Sequence, residues 1–361
     1  MSLVSPSPAY AGSNNISIPT PAADDTMVEQ LVEIREKRGI DCAVRGDADP
    51  TMPVNEFYPL VVIVGPTGSG KSSLALDLAG RFKGEIVNCD SLQLYRGFDV
   101  GTAKTPLIER RHIPHHLFDV LGPQEGYSAG EYAAAARAAI AGIAARGTLP
   151  MVVGGTGFYL RALLEGLPVL PERDEALRAR LMAREQARPG SLHRLLTRLE
   201  KTAAARIHAR DVQKTLRALE IRLLTRKSLP PPAGARPLEG YKALKLGLDP
   251  ERAALHSRIE ARTRKMFDGG LIEEVQALLA QGCTGAEKPF ESLGYKQAFE
   301  YLNGKITREQ AVASTIVETR QYAKRQLTWF RRDSAIQWLR GFGDETEIVA
   351  KAAEAVALLR Y

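Results

Sequence analysis

An apolar, β-branched run that ends in a glycine-rich turn leaves a chain few folds to choose from. Here LVVIV (60–64) runs into GPTGSGKS (65–72), and a helical pattern follows from Lys71 to Phe82. Five apolar residues without polar alternation read as a strand buried on both faces, as in a parallel sheet. The turn matches G-x-x-x-x-G-K-[ST] between a strand and a helix, the context in which that spacing cradles phosphates. Its glycines, Gly65, Gly68 and Gly70, let backbone N–H groups converge on one cavity, and Pro66, Thr67 and Ser69 complete the loop. The helix N-terminus adds partial positive charge. Lys71 supplies a point charge to the outer phosphate, and the Ser72 hydroxyl is a candidate ligand for Mg²⁺.

Strands and helices alternate from there. EIVNC (85–89) reads as a second strand, after a helix ended by Gly84, and Asp90 closes it. Ser128 with Glu131 forms a capping box for a helix through Arg146, stopped by Gly147. PMVVGGT (150–156) and ALKLGLD (243–249) are further strands, and beyond Pro250 the chain reads as largely helical. This order predicts an α/β fold: a P-loop NTPase-like parallel sheet core with a small helical insert domain. The core would comprise 60–170 and 241–340 with its C-terminal helices, and the insert and its Pro-rich linker 171–240. A tail helix would follow over 341–361. Residues 1–59 form an N-terminal extension whose Ser/Pro/Ala-rich start is expected to be disordered. MVEQLVEIREKR (27–38) could form a short helix there. Met52 is an alternative natural start, so the extension is either an over-long reading or a tail.

Charge is uneven. The net is +7, yet residues 1–60 carry 4 basic and 9 acidic side chains. The rest is therefore strongly basic, and the stretch 171–227 alone has 15 Lys/Arg against 7 Asp/Glu. A basic body suits a polyanionic partner such as nucleic acid. Three scattered cysteines, Cys42, Cys89 and Cys283, argue against a disulfide framework or zinc site and fit a reducing cytoplasm. No apolar run is long enough to span a membrane, and no signal peptide is recognisable.

Asp90 is the acid at a strand end near the phosphate loop. Strand C-termini line the ligand crevice of an open α/β sheet, so Gly65, Asp90 and Thr156 should converge there. Asp90 suits either a metal ligand for nucleotide hydrolysis or a general base taking a proton from a nucleophile. His115 and His116 are adjacent and without cysteine partners, so we read them as structural or substrate-shaping loop residues. Trp329 and Trp338 read as core or interface residues rather than base-stacking platforms.

Seven segments in order then resemble one family. They are GPTGSGKS (65–72), DSLQLYRGFDVGTAK (90–104), HHLFDV (115–120), GGTGFYLRALLEG (154–166), RDVQKTLRALEI (210–221), SLGYKQ (292–297) and ETRQYAKRQLTWFRR (318–332). The chain resembles the bacterial tRNA dimethylallyltransferases, the isopentenyl-tRNA transferases, over about residues 60–332. The sequence lacks the C-terminal zinc finger of some eukaryotic relatives. The resemblance implies transfer of a dimethylallyl group from dimethylallyl diphosphate to N6 of adenosine 37, 3′ of the anticodon in tRNAs reading U-starting codons. It implies Mg²⁺ as cofactor, the tRNA anticodon stem-loop as partner, and a cytoplasmic enzyme working as a monomer away from membranes. Asp90 would be the base, Thr156 would lie beside the reacting centre, and Lys71 would stabilise the leaving diphosphate. Arg258 or Arg262, four apart on one predicted helix, would reach the same diphosphate. The implied tRNA contacts are Asp90, Ser91, Leu92, Gln93 and Thr156, then Arg178 in the insert. They continue with Gln213, Lys214, Thr215, Leu216 and Arg217, and with Ser292, Leu293, Gly294, Tyr295, Lys296 and Gln297. Glu318, Thr319, Arg320, Gln321, Lys324 and Arg325 complete them, with Ile316, Ala323, Leu327 and Phe330 on that helix's other face. Two other readings share the loop: a small-molecule or nucleotide kinase, and a non-catalytic tRNA-binding NTPase.

Overall fold

The computed structural model describes residues 57–168, 170–229 and 236–359. The expectations for the N-terminal extension, Cys42 included, lie outside the described residues. Six parallel strands form one sheet in the order β3-β2-β4-β1-β5-β6. β1 (Tyr58–Val64) lies centrally, between β4 (Leu149–Val153) and β5 (Tyr241–Leu248). β2 (Gly84–Asn88) and the two-residue β3 (His115–His116) complete one side, and β6 (Ile336–Leu339) the other. The α/β expectation therefore holds.

Three local expectations change. The first helix, α1 (Lys71–Phe82), is ended by Lys83 in a left-handed conformation (φ 51°), while Gly84 is already the first residue of β2. His115 and His116 are a sheet edge, paired with Ile86 and Val87, and not loop residues. The region after Pro250 contains β6, in register with Lys245–Leu248. Strands of two and four residues are too short to show a period, so pairing rather than pattern defines them.

The strand residues divide by parity. Leu60, Val62 and Val64 join one core cluster, and Val61 and Ile63 join the other. Successive strand side chains point to opposite faces, so the unbroken LVVIV run reflects a sheet covered twice. One face is covered by α2 (Ala129–Ala145), α3 (Gly157–Glu165) and helices after β5. The Ser128–Glu131 capping box of α2 is formed in both directions. The other face is covered by α1 and by the last helix, in which Ile348, Val349, Ala352 and Val356 are buried.

Between α3 and β5 come α4 (Glu175–Ala187), α5 (Ser191–Leu199), α6 (Lys201–Arg206) and α7 (Val212–Thr225). They share their own apolar cluster around Leu181, Leu192, Leu196, Leu216 and Leu219. After β5 run α8 (Arg252–Asp268), α9 (Leu271–Ala280), α10 (Tyr295–Leu302) and α11 (Arg308–Phe330). α12 (Thr346–Leu359) follows β6. Among the described residues no helix is long and apolar enough to cross a membrane.

Candidate active site

The loop after β1 is held from three sides. Gly68 and Gly70 have positive φ (83° and 86°), which only glycine adopts without strain. Gly70 also has no room for a side chain, since a Cβ would stand 2.8 Å from the Gly343 nitrogen. Gly343 donates its N–H to Ser69 O at 2.9 Å. Thr67 donates its N–H to Gln326 Oε1 at 2.8 Å, and Gln326 Nε2 donates to Gly155 O at 3.0 Å. The buried Gln326 amide of α11 thus ties the phosphate loop to the turn after β4. Arg262 of α8 donates to Thr67 Oγ1 at 2.6 Å. Neither Gln326 nor the Gly343 turn had a local signal, because each acts across a long stretch of sequence.

A cavity of about 270 Å³ opens at the C-terminal ends of β1, β2 and β4. It is lined by Thr67, Gly68, Gly70, Lys71, Ser72, Asp90, Gln93, Gly154, Arg258 and Arg262, with Phe118 and His115 at its side. Lys71 donates to Pro66 O at 2.8 Å. Withdrawal from water lowers the Lys71 ammonium to about 8; the Asp90 charge pulls it up and the Arg262 charge pushes it further down. Burial likewise lowers Arg262, against the attraction of Asp90. Neither Lys71 nor Arg262 has a direct ion-pair partner among the described residues, so two cations share one confined space with the Asp90 carboxylate nearby. An anion is what such a space accepts.

The two candidate arginines behave differently. Arg258 makes a bidentate pair with Asp344 (2.7 Å on each arm) and stacks 4.0 Å from the Phe342 ring centroid. Its charge is already answered, whereas Arg262 is bonded to the phosphate loop itself.

Asp90 lies two residues beyond β2 and is built into an Asx turn. Its Oδ1 accepts the Leu92 N–H at 3.0 Å, and its own N–H donates to the buried Asn88 Oδ1 at 2.8 Å. Thr156 stands at the start of α3, where its Oγ1 accepts the Ser91 N–H at 3.1 Å. Asp90, Ser91 and Thr156 are therefore assembled by the ends of β2 and β4. Gln93 donates to Thr102 O at 3.1 Å, which closes the 90–104 loop on itself. Buried Lys104 holds that loop from beneath, donating to Tyr95 O at 2.8 Å and to Asp99 at 2.6 Å.

The more distant candidates are divided by burial. Tyr295 is fully buried, its ring tilted against Phe98 with centroids 4.9 Å apart, and its hydroxyl donates to Glu274. Glu274 also accepts the Asp99 and Val100 N–H groups at 3.0 and 2.8 Å. The SLGYKQ segment therefore braces the 90–104 loop. Within it Gly294 and Gln297 are buried, Ser292 and Leu293 are half-buried, and Lys296 alone is exposed. Thr215 and Leu216 are buried in α7, while Gln213 and Lys214 are exposed. Thr319 of α11 is buried, Glu318 and Arg320 are half-buried, and Gln321, Lys324 and Arg325 are exposed. Arg320 pairs with Glu260 at 2.9 Å. On the opposite face Ile316, Ala323 and Phe330 are buried and Leu327 half-buried, as the helical spacing predicts. Arg178 and Arg217 both reach the fully buried Glu220, at 3.2 and 2.6 Å. Burial raises the Glu220 carboxyl, but the bonds from Arg217 and the Asp174 N–H outweigh it and leave it lowered. Trp338 packs against the core as expected, whereas Trp329 is 38% exposed and so is no core residue.

Comparison with known proteins shows the family. A family model described as IPP transferase matches residues 93–333. A tRNA dimethylallyltransferase of Solibacter usitatus is 56% identical over 301 residues, covering 83% of this chain and 98% of that relative. One from Koribacter versatilis is 55% identical, covering 82% and 97%. The crystal structure of a full-length tRNA isopentenylpyrophosphate transferase from Bacillus halodurans superposes with a TM-score of 0.62 at 36% identity, covering 84% and 98%. A eukaryotic dimethylallyltransferase captured acting on tRNA gives 0.64 at 27% identity, covering 78% and 74%.

Proposed function

The chain belongs to the IPP transferase family, and from that premise we propose that it transfers a dimethylallyl group from dimethylallyl diphosphate to tRNA. The acceptor is N6 of adenosine 37, 3′ of the anticodon, and the products are N6-(dimethylallyl)adenosine and pyrophosphate. The observation that carries this reading is the meeting of Asp90, Lys71 and Arg262 on one cavity at the strand ends.

The N6 lone pair attacks C1 of the dimethylallyl group. The C1–oxygen bond breaks, and its electron pair leaves with pyrophosphate. Loop N–H groups, Lys71 and Arg262 stabilise that departing charge, two cations that face the nearby Asp90 carboxylate. The N6 proton passes to Asp90, whose carboxylate is oriented by the Leu92 N–H. Adenine N6 is a poor nucleophile because its lone pair is delocalised into the ring, so removing its proton during attack matters. Thr156 is held beside this point by Ser91.

The donor set suits Mg²⁺: a hydroxyl (Ser72), water and diphosphate oxygens are the hard ligands it prefers. Bound there, it would neutralise phosphate charge and orient the leaving group. We further propose that the enzyme is monomeric and cytoplasmic.

The test is turnover by the purified protein with dimethylallyl diphosphate, Mg²⁺ and an anticodon stem-loop RNA. Pyrophosphate should appear in step with prenylated RNA. Asp90→Ala should keep RNA binding and lose roughly 10²–10⁴ in rate, the span of general-base catalysis. Near-full turnover by Asp90→Ala overturns the base assignment. ATP consumption without RNA would instead support a kinase.

A further inference from the structure

On α11, Tyr322, Arg325 and Trp329 lie at i, i+3 and i+7 and so share one stripe. That stripe passes along the candidate site. Gln326, one turn beyond Tyr322 on the same helix, ties the phosphate loop to the turn after β4, and burial above all, with the Asp90 charge, pushes the Tyr322 phenol up. The Arg325 guanidinium lies 5.8 Å from the Tyr322 ring centroid. Trp329 is pressed against the start of α3, where a Cβ on Gly157 would fall 2.2 Å from its indole. The indole is thus fixed against backbone while 38% of the residue stays exposed. Phe158, the next residue and two beyond Thr156, is 49% exposed.

Trp329 and Phe158 thus leave two large apolar side chains exposed at the start of α3, next to Thr156. Exposed Lys324 and Arg332 add positive charge along this part of the chain, while the neighbouring Arg331 is paired with Asp249 at 3.1 Å. Aromatic faces interleaved with cations are the means by which proteins hold unpaired bases, since every base has a π-face and every nucleotide a phosphate. A protein partner would gain little from so cationic a rim.

We propose that Tyr322, Arg325, Trp329 and Phe158 form a stacking shelf for the unpaired nucleotides that flank the reacting adenosine. This rests on the proposed transfer to tRNA. The shelf would hold neighbouring bases splayed while the target base enters the cavity, lowering the cost of extruding it.

Trp329 and Trp338 are the chain's two tryptophans, so Trp338→Phe leaves Trp329 as the sole reporter. Titrating that variant with the anticodon stem-loop should quench its emission, with the midpoint of RNA binding; binding without any change in emission overturns the shelf. Trp329→Ala should weaken stem-loop binding roughly ten- to a hundredfold, and Trp329→Phe should recover most of the loss. The exposed Phe158→Ala should act in the same direction without risk to folding. KM for dimethylallyl diphosphate and the salt dependence of RNA affinity should not move, because stacking releases no counterions. RNA affinity within twofold of wild type in both alanine variants overturns the proposal, as does an equal loss of diphosphate affinity. Wild-type protein that neither binds nor modifies the stem-loop sinks this proposal together with the proposed function. Wild-type transfer alongside unimpaired alanine variants sinks the shelf alone.

Discussion

Two regions of the molecule gather positive charge, and they use it in opposite ways. In the helices α4 to α7, Arg178 and Arg217 converge on one buried carboxylate, Glu220, and their charge is spent inside the protein. In the cavity, Lys71 and Arg262 converge with no direct ion-pair partner among the described residues, beside the Asp90 carboxylate. The insert is the more basic segment in sequence, yet the cavity is the better anion site. Availability, not abundance, distinguishes them. The same contrast separates Arg258, clamped by Asp344, from Arg262, bonded to the neutral Thr67 hydroxyl and so still cationic toward a ligand.

This contrast breaks first at Lys71. Lys71→Ala should lower kcat by roughly 10²–10³, the usual loss when one preorganised group that stabilises developing charge is removed. Single-turnover pyrophosphate release would show it. Glu220→Ala should leave chemistry on bound substrate intact but destabilise the protein by about 2 kcal/mol. That is below the usual range for a broken buried pair, because both arginines can turn toward water. Thermal unfolding checks it, and an unchanged Tm would show that the pair is not structural.

The pH dependence sharpens the same point. Free Lys71 is protonated below about 8 and neutral above it. Above that pH the empty loop loses its charge, so kcat/KM for the diphosphate should fall about tenfold per unit. The bound diphosphate draws the proton back, so kcat should hold to higher pH. The smallest effect is expected on the RNA side. Lys324→Glu should reduce the salt slope of RNA binding by about one or two charges. Lys214→Glu should do less, since Lys214 already meets Asp211 at 2.5 Å.

Much of this was legible in the sequence where the information is local. The β1–loop–α1 unit, the Ser128 capping box and Asp90 at a strand end each follow from neighbours in the chain. The elements that escaped are those made by distant partners. β6 exists because Ile336–Leu339 pairs with β5, and Gln326 meets Thr67 from 259 residues away in the sequence. Motif strips mix buried and exposed positions, because a helix shows only one face. Thr215, Leu216, Tyr295, Gln297 and Thr319 lie in RNA-like segments, yet their side chains are buried. Trp329, which reads from the sequence as a core or interface residue, is 38% exposed with its indole held against Gly157.

The most direct measurement is nucleoside mass spectrometry of tRNA from cells lacking this protein. The account predicts that N6-(dimethylallyl)adenosine and nucleosides derived from it disappear. They should return with the wild-type chain and not with Asp90→Ala. If they persist undiminished in the deleted cells, the transfer proposed here is contradicted.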